Sequence, residues 1–196
     1  MKTLSTIIAS LVFFGIAAFA MESETYKIDA SASKMKWYGE KVSGEHFGSV
    51  SLKEGEIHVS GNKISQGVFT ADMTSITVED IDGEWGTKLL GHLKSDDFFS
   101  VAKHKESKFE IISVKDLGDN KAKIAGKLTI KGITKVISFE TEYKMEGNKL
   151  MANAEVLVDR TKFDIKYRSG NFFEDLGDKM IYDNFRIELK IVAVKA

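Results

Sequence analysis

Residues 121–131 read KAKIAGKLTIK. Ala122, Ile124, Gly126, Leu128 and Ile130 fall on one side of an extended chain, and Lys121, Lys123, Lys127, Thr129 and Lys131 on the other. Strict alternation of this kind predicts a strand with one face in a core and one in water. A slip of one residue would turn every lysine inward. The period of two continues downstream. Ile137, Phe139, Thr141, Tyr143 and Met145 oppose Ser138, Glu140, Glu142 and Lys144; Leu150, Ala152, Ala154, Val156 and Val158 oppose Asn153, Glu155 and Asp159. At the C-terminal end Phe185, Ile187, Leu189, Ile191 and Ala193 oppose Arg186, Glu188 and Lys190. Less regular strands are expected at 25–29, 34–38, 46–52, 56–60, 63–74 and 108–115.

Turn residues separate these runs: Lys53-Glu54-Gly55, Ser60-Gly61-Asn62, Gly118-Asp119-Asn120, Lys131-Gly132 and Glu146-Gly147-Asn148. Connections this short imply antiparallel hairpins. A ten-residue strand is roughly 33 Å long, and long one-faced strands need closure to protect their edges. The fold expected is all-β, an antiparallel up-and-down barrel of the lipocalin-like kind, with a sandwich as the alternative. One stretch breaks the alternation. Trp85, Leu89 and Leu93 recur at every fourth residue of 84–95, which predicts one short helix packed by that stripe on the barrel. Residues 169–183, with Phe172, Phe173, Leu176, Met180 and Ile181 among glycines and acids, read as a long loop near the C-terminus with a turn of helix.

Residues 1–20 have the form of a secretory signal peptide: Lys2, an uncharged run from Leu4 to Phe19, and a small-residue end Ala18-Phe19-Ala20. The run is short for a membrane span, so a span after cleavage is not expected, and the mature domain is expected to cover 21–196 in the periplasm or outside the cell. Loss of Lys2, the one charged residue of the leader, takes the net charge from −1 to −2. That gives no electrostatic footprint for nucleic acid. The sequence contains no cysteine, which excludes disulfides, thiolate chemistry and zinc–thiolate sites. Nothing in it sets an oligomeric state.

No catalytic constellation or cofactor motif is present. His46, His58, His92 and His104 lack the spacing of a metal set on one element, and no nucleophile elbow, phosphate loop or dinucleotide fingerprint occurs. The acids of 79–84 lack the later ligands of a calcium loop and read as solvated. The lysine stripe reads as a solvated strand face. More informative are 13 phenylalanines together with small residues, Ala122, Gly126, Ala152 and Ala154, on apolar faces. An eight-stranded barrel is wide enough to hold one small ligand. The pattern fits a filled core and an unfilled one equally well.

Four segments resemble the YceI-like family, in the right order over nearly the whole mature chain. They are Trp37-Tyr38-Gly39-Glu40-Lys41 through Gly44, His46 and Gly48; the run His92 to Val101 (HLKSDDFFSV) with Phe109 after it; the run Gly126 to Lys135 (GKLTIKGITK); and Asp159 to Ile165 (DRTKFDI). Lys105 and Val136 stand where the family often has proline, and Asp164 where it usually has glycine. The resemblance implies a lipocalin-like barrel with a long apolar cavity, export, and binding of polyisoprenoids or other long-chain amphiphiles such as an isoprenoid quinone. No cofactor and no catalytic residue is implied. The expected ligand-binding set is Ile124, Gly126, Leu128, Phe139, Ala152, Ala154, Val156 and Ile187. Arg160 is added either as a headgroup contact or, the favoured option, as a structural pair with Asp159 or Asp164. Two other functions stand as alternatives: a structural barrel with a filled core, and an enzyme using His46 or His104 beside a carboxylate.

Overall fold

The structure is a computed structural model that describes residues 23–196; the expected signal peptide lies outside the described residues. Ten strands, β1 (Ser23–Ile28), β2 (Lys34–Lys41), β3 (Gly44–Ser49), β4 (Ser51–Ser60), β5 (Lys63–Asp72), β6 (Glu106–Gly118), β7 (Lys121–Ile130), β8 (Ile133–Glu146), β9 (Lys149–Asp159) and β10 (Ile181–Lys195), form one antiparallel sheet. It closes where β1 pairs with both β4 and β10. β1 and β2 act as one stave, interrupted at residues 29–33, because β10 pairs first with β2 (Ile181–Lys41 to Lys190–Lys34) and then with β1 (Ala193–Ile28 onward). β3 and β4 are likewise one stave, broken at Val50, whose N–H donates to the Met35 carbonyl. The result is a closed barrel of eight staves.

Alternation sets the register as expected. Lys123 and Lys127 are exposed while Ala122, Ile124, Gly126, Leu128 and Ile130 are buried. Residues 53–55 form no turn. β4 runs straight through them with a register shift between Leu52 and Glu54. Gly55 is there because β5 passes close: an added Cβ would stand 2.8 Å from the Val68 carbonyl oxygen. Further shifts fall at His58/Val59 and Ile111/Ser113. Each bulge inserts a residue and reverses the inward phase, which is why β4, β5 and β6 look untidy in the sequence.

Beyond β5 the chain makes a 3-10 turn at Met73–Ser75 and then lies along the edge of β3, with Thr77 N–H donating to Ser49 O and Glu79 N–H to Phe47 O. Gly48 permits this approach. A Cβ there would stand 2.0 Å from the Thr77 carbonyl oxygen, and Trp37 Nε1 donates to that same oxygen at 3.0 Å. The helix α1 (Gly83–Lys94) follows. Leu93 and Gly86 are buried, Leu89 and Leu90 pack on the core, but Trp85 is 72% exposed beneath Lys88. The expected stripe therefore holds for Leu89 and Leu93 and fails for Trp85. A step of four residues advances about 40° round a helix, so Trp85 lies about 80° from Leu93. The long loop near the C-terminus is present, with a 3-10 turn at Gly177–Lys179.

The lower end of the barrel is plugged by Tyr26, Val59, Ala122, Tyr143, Leu150 and Ala193, and the upper end is packed by Leu93, Phe98, Val101, Phe163 and Ile165. Gly48→Ala is expected to destabilise the protein by about 1–3 kcal/mol, as overpacking does, because the clash is with backbone that cannot swing aside; urea unfolding against the wild type measures it.

Candidate functional site

Between the two plugs the barrel is not filled. A cavity of about 170 Å³ runs along β7 from Ile124 to Ile130 and along β10 from Ile191 to Phe185. Six residues of strand make it roughly 20 Å long at about 3.3 Å per residue. Its walls are almost wholly hydrocarbon. Thr141, one of its few polar lining residues, donates its hydroxyl to the Asn153 carbonyl at 2.9 Å. Among the described residues, no histidine, aspartate or glutamate lines it.

Ile124, Leu128, Ile137, Phe139, Ala152, Ala154, Val156, Ile187 and Leu189 all line the cavity. Gly126 faces inward, but the Phe109 ring occupies the space beside it, since a Cβ would stand 2.3 Å from Phe109 Cζ. Ala122 belongs to the lower plug. Two small residues on β7 thus make room for other side chains, and the two on β9 leave room open. Sequence reasoning missed the part of the lining that includes Met35 and Trp37 on β2, Leu52 and Ile57 on β4, Phe69 and Ala71 on β5, Phe109 and Ile111 on β6. Phe69, Phe109 and Phe139 form a row of tilted rings across it, 6.4 and 5.5 Å between centroids. Their period of two is readable only within each segment between bulges.

Arg160 is 3% exposed, at the upper end of β9. Its guanidinium donates to three backbone carbonyls: Nη1 to Ile165 at 2.7 Å, Nη2 to Ile181 at 2.9 Å and Nε to Tyr182 at 3.0 Å. Its carboxylate partner is Asp183, at 3.6 Å, not Asp159 or Asp164. Burial lowers the guanidinium's pKa, and Asp183 and Asp159 oppose that. Arg160 therefore clamps the loop after β9 to the start of β10. It borders a separate void of about 60 Å³ between α1 and β10, shared with Trp37, Phe99 and Phe185. Asp159 accepts from Thr161, and Asp164 holds a left-handed conformation (φ 57°), where glycine also fits.

The model of the YceI-like domain matches residues 26–193. The chain belongs to the YceI-like family. Among curated relatives, a UPF0312 protein of Pseudomonas putida strain F1 is 41% identical over 56 residues, 29% of each chain; one of Pseudomonas fluorescens SBW25 is 35% identical over 81 residues, 38% of this chain and 42% of that one. The chain thus spans well under half the length of these relatives. Burkholderia cenocepacia BcnA shares the fold at TM-score 0.69 and 19% identity, covering 85% of this chain and 99% of that one. So does a polyisoprenoid binding domain of Saccharophagus degradans implicated in plant cell wall breakdown, at TM-score 0.63 and 13% identity, covering 87% and 98%.

In this YceI-like barrel the recognisable segments hold the upper end together. Trp37 and Gly48 dock residues 76–80, His92 stacks edge-on against Phe98 and Tyr167, and Arg160 clamps the loops. The histidines do not meet the cavity. His104 packs on Gly132. His46 does have a carboxylate: its Nδ1 lies 2.7 Å from Asp80 Oδ2, and Phe47 N–H donates to Asp80 Oδ1 at 3.0 Å. This pair ties β3 to the segment leading into α1.

Burial acts to raise the Asp80 pKa, but the hydrogen bonds from His46 and Phe47 prevail and hold it below the usual carboxylate value. A depressed carboxyl stabilises fully above its unfolded pKa of about 3.9 and loses that contribution as pH falls through the folded value. The stability gap between wild type and Asp80→Asn is therefore expected to shrink as pH falls below about 4, followed by urea unfolding across acid pH. Arg160→Met leaves three carbonyls without their donor and is expected to cost about 3 kcal/mol or more. Arg160→Lys should restore only part of it, since an ammonium cannot serve the three directions of the fork; thermal unfolding of both variants checks this.

Proposed function

We propose that the protein is an exported, non-enzymatic carrier that holds one long-chain lipid, a polyisoprenoid or similar amphiphile such as an isoprenoid quinone, inside the barrel. The observation that carries this reading is the unfilled apolar cavity of about 170 Å³. Left empty, a void of that size costs on the order of 4 kcal/mol at about 24 cal/mol per Å³, a large fraction of a stability of about 5–15 kcal/mol. A hydrocarbon chain offsets it. At roughly 10–15 Å³ per water-sized group the cavity takes on the order of a dozen methylenes. At about 0.8 kcal/mol each these supply on the order of 10 kcal/mol before the entropic cost of binding. Such walls grip length and thickness and read no functional group, which suits a carrier. Family membership and the likeness to the polyisoprenoid binding domain of Saccharophagus degradans support the same ligand class. The leader-like residues 1–20 support placement in the periplasm or outside the cell.

The test uses protein stripped with organic solvent and titrated with farnesol or a longer polyprenol. Wild type should gain several degrees of melting temperature on loading. Ala154→Phe puts a ring where the chain would lie. It should melt higher than stripped wild type and gain nothing from polyprenol. A wild type indifferent to every polyprenol offered, with no lipid in its own solvent extract, would return the barrel to a structural role.

A further inference from the structure

Two seams of the barrel pair over only part of their length. The β5–β6 ladder stops at Val68–Glu110, and the β8–β9 ladder stops at Thr141–Ala154. By contrast β7 and β8 pair from Lys121–Glu142 up to Ile130–Ile133, and β9 and β10 from Lys149–Val194 up to Asp159–Asn184. The upper halves of β8 and β9 are thus each held on one side only.

The two seams differ in what crosses them. At β5–β6, Lys63 pairs with Asp116 at 2.5 Å, and Ile111 packs so close to Gly67 that an added Cβ would stand 3.1 Å from it. At β8–β9 the last link is the Thr141 hydroxyl on the Asn153 carbonyl. Above it, among the described residues, no ion pair or side-chain hydrogen bond joins 135–140 to 155–158. Phe139 on one bank and Ala154 and Val156 on the other line the cavity. On the outer side stand Val136, 64% exposed, and Leu157, 63% exposed, among the described residues the most exposed large apolar ones after Trp85. Continuing the register past Thr141–Ala154 sets Leu157 across from Ser138 and diagonal to Val136, so the two side chains flank the same unpaired stretch of the seam.

We propose that the upper β8–β9 seam is a lateral portal, through which the hydrocarbon chain enters and leaves the barrel between Val136 and Leu157. This rests on the lipid-binding reading above. Entry along the axis would have to displace a packed plug, with Leu150 and Tyr143 below or Phe163 and Ile165 above, all nearly free of solvent. Sideways entry parts two strand segments that share no ladder rungs. It also leaves the polar end of the amphiphile at the seam, in water, where the apolar cavity demands no partner for it.

The chain contains no cysteine, so a seam can be stapled selectively. Ser138→Cys with Leu157→Cys, bridged by a short bismaleimide that holds the two strands at their resting separation, locks the portal. Glu142→Cys with Asn153→Cys, opposed on a formed rung, is the control staple. The readout is stopped-flow binding of dansylundecanoic acid, each variant compared before and after bridging. The portal staple should slow both association and release by about tenfold or more, with Kd unchanged, while the control staple changes neither rate. Unchanged rates in the portal-stapled protein would overturn the proposal and point to entry through an end. If the wild type takes up neither this probe nor a polyprenol, the lipid-binding reading fails, and the portal with it.

Discussion

Ala152 and Ala154 face inward at mid-height of the barrel, beside Thr141, and no neighbouring side chain occupies the space they leave. An eight-stranded barrel is just wide enough for side chains to fill, so a few small residues on one stave decide between a solid core and a chamber. The contrast with Gly126 is instructive. Its missing side chain is replaced by Phe109, which leans across from β6 and is the middle ring of the aromatic row that forms one wall. The same device, a small inward residue, closes the barrel at one place and opens it at another. What differs is whether the facing strand supplies a large side chain.

Around that chamber the polar chemistry is kept outside or made self-sufficient. Arg160 is charged and buried, yet its donors are spent on three carbonyls and its charge on Asp183. A guanidinium satisfied in this way holds loops and has little left for a ligand. His46 and Asp80 form a close pair, but they serve the joint between β3 and the approach to α1. Both features brace the upper end, where the connections are long and the ladder alone would not hold them.

The barrel was legible in the sequence where strands are unbroken. On β7, β8, β9 and β10 the period of two names the inward residues, and the structure agrees residue by residue. It was not legible on β4 to β6, because bulges at Leu52, His58 and Ile111 shift the phase within a strand. Gly55 read as a turn residue, although its role is to let β5 pass. Trp85 read as part of a buried stripe, although a four-residue repeat drifts round the helix. Of the site, the half built by regular strands was visible, while Trp37, Phe69 and Phe109 were not. Whether Ala154 and Gly126 open space or accept a neighbour depends on the facing strand, which alternation alone does not specify.

Native mass spectrometry of the protein purified from a polyprenol-producing bacterial host tests the central claim most directly. One hydrocarbon-rich lipid per barrel is expected, seen as a discrete mass increment that solvent extraction removes and that is absent from Ala154→Phe. A wild-type barrel that flies at its bare polypeptide mass under conditions that preserve the fold, and stays bare after incubation with polyprenol, would contradict it.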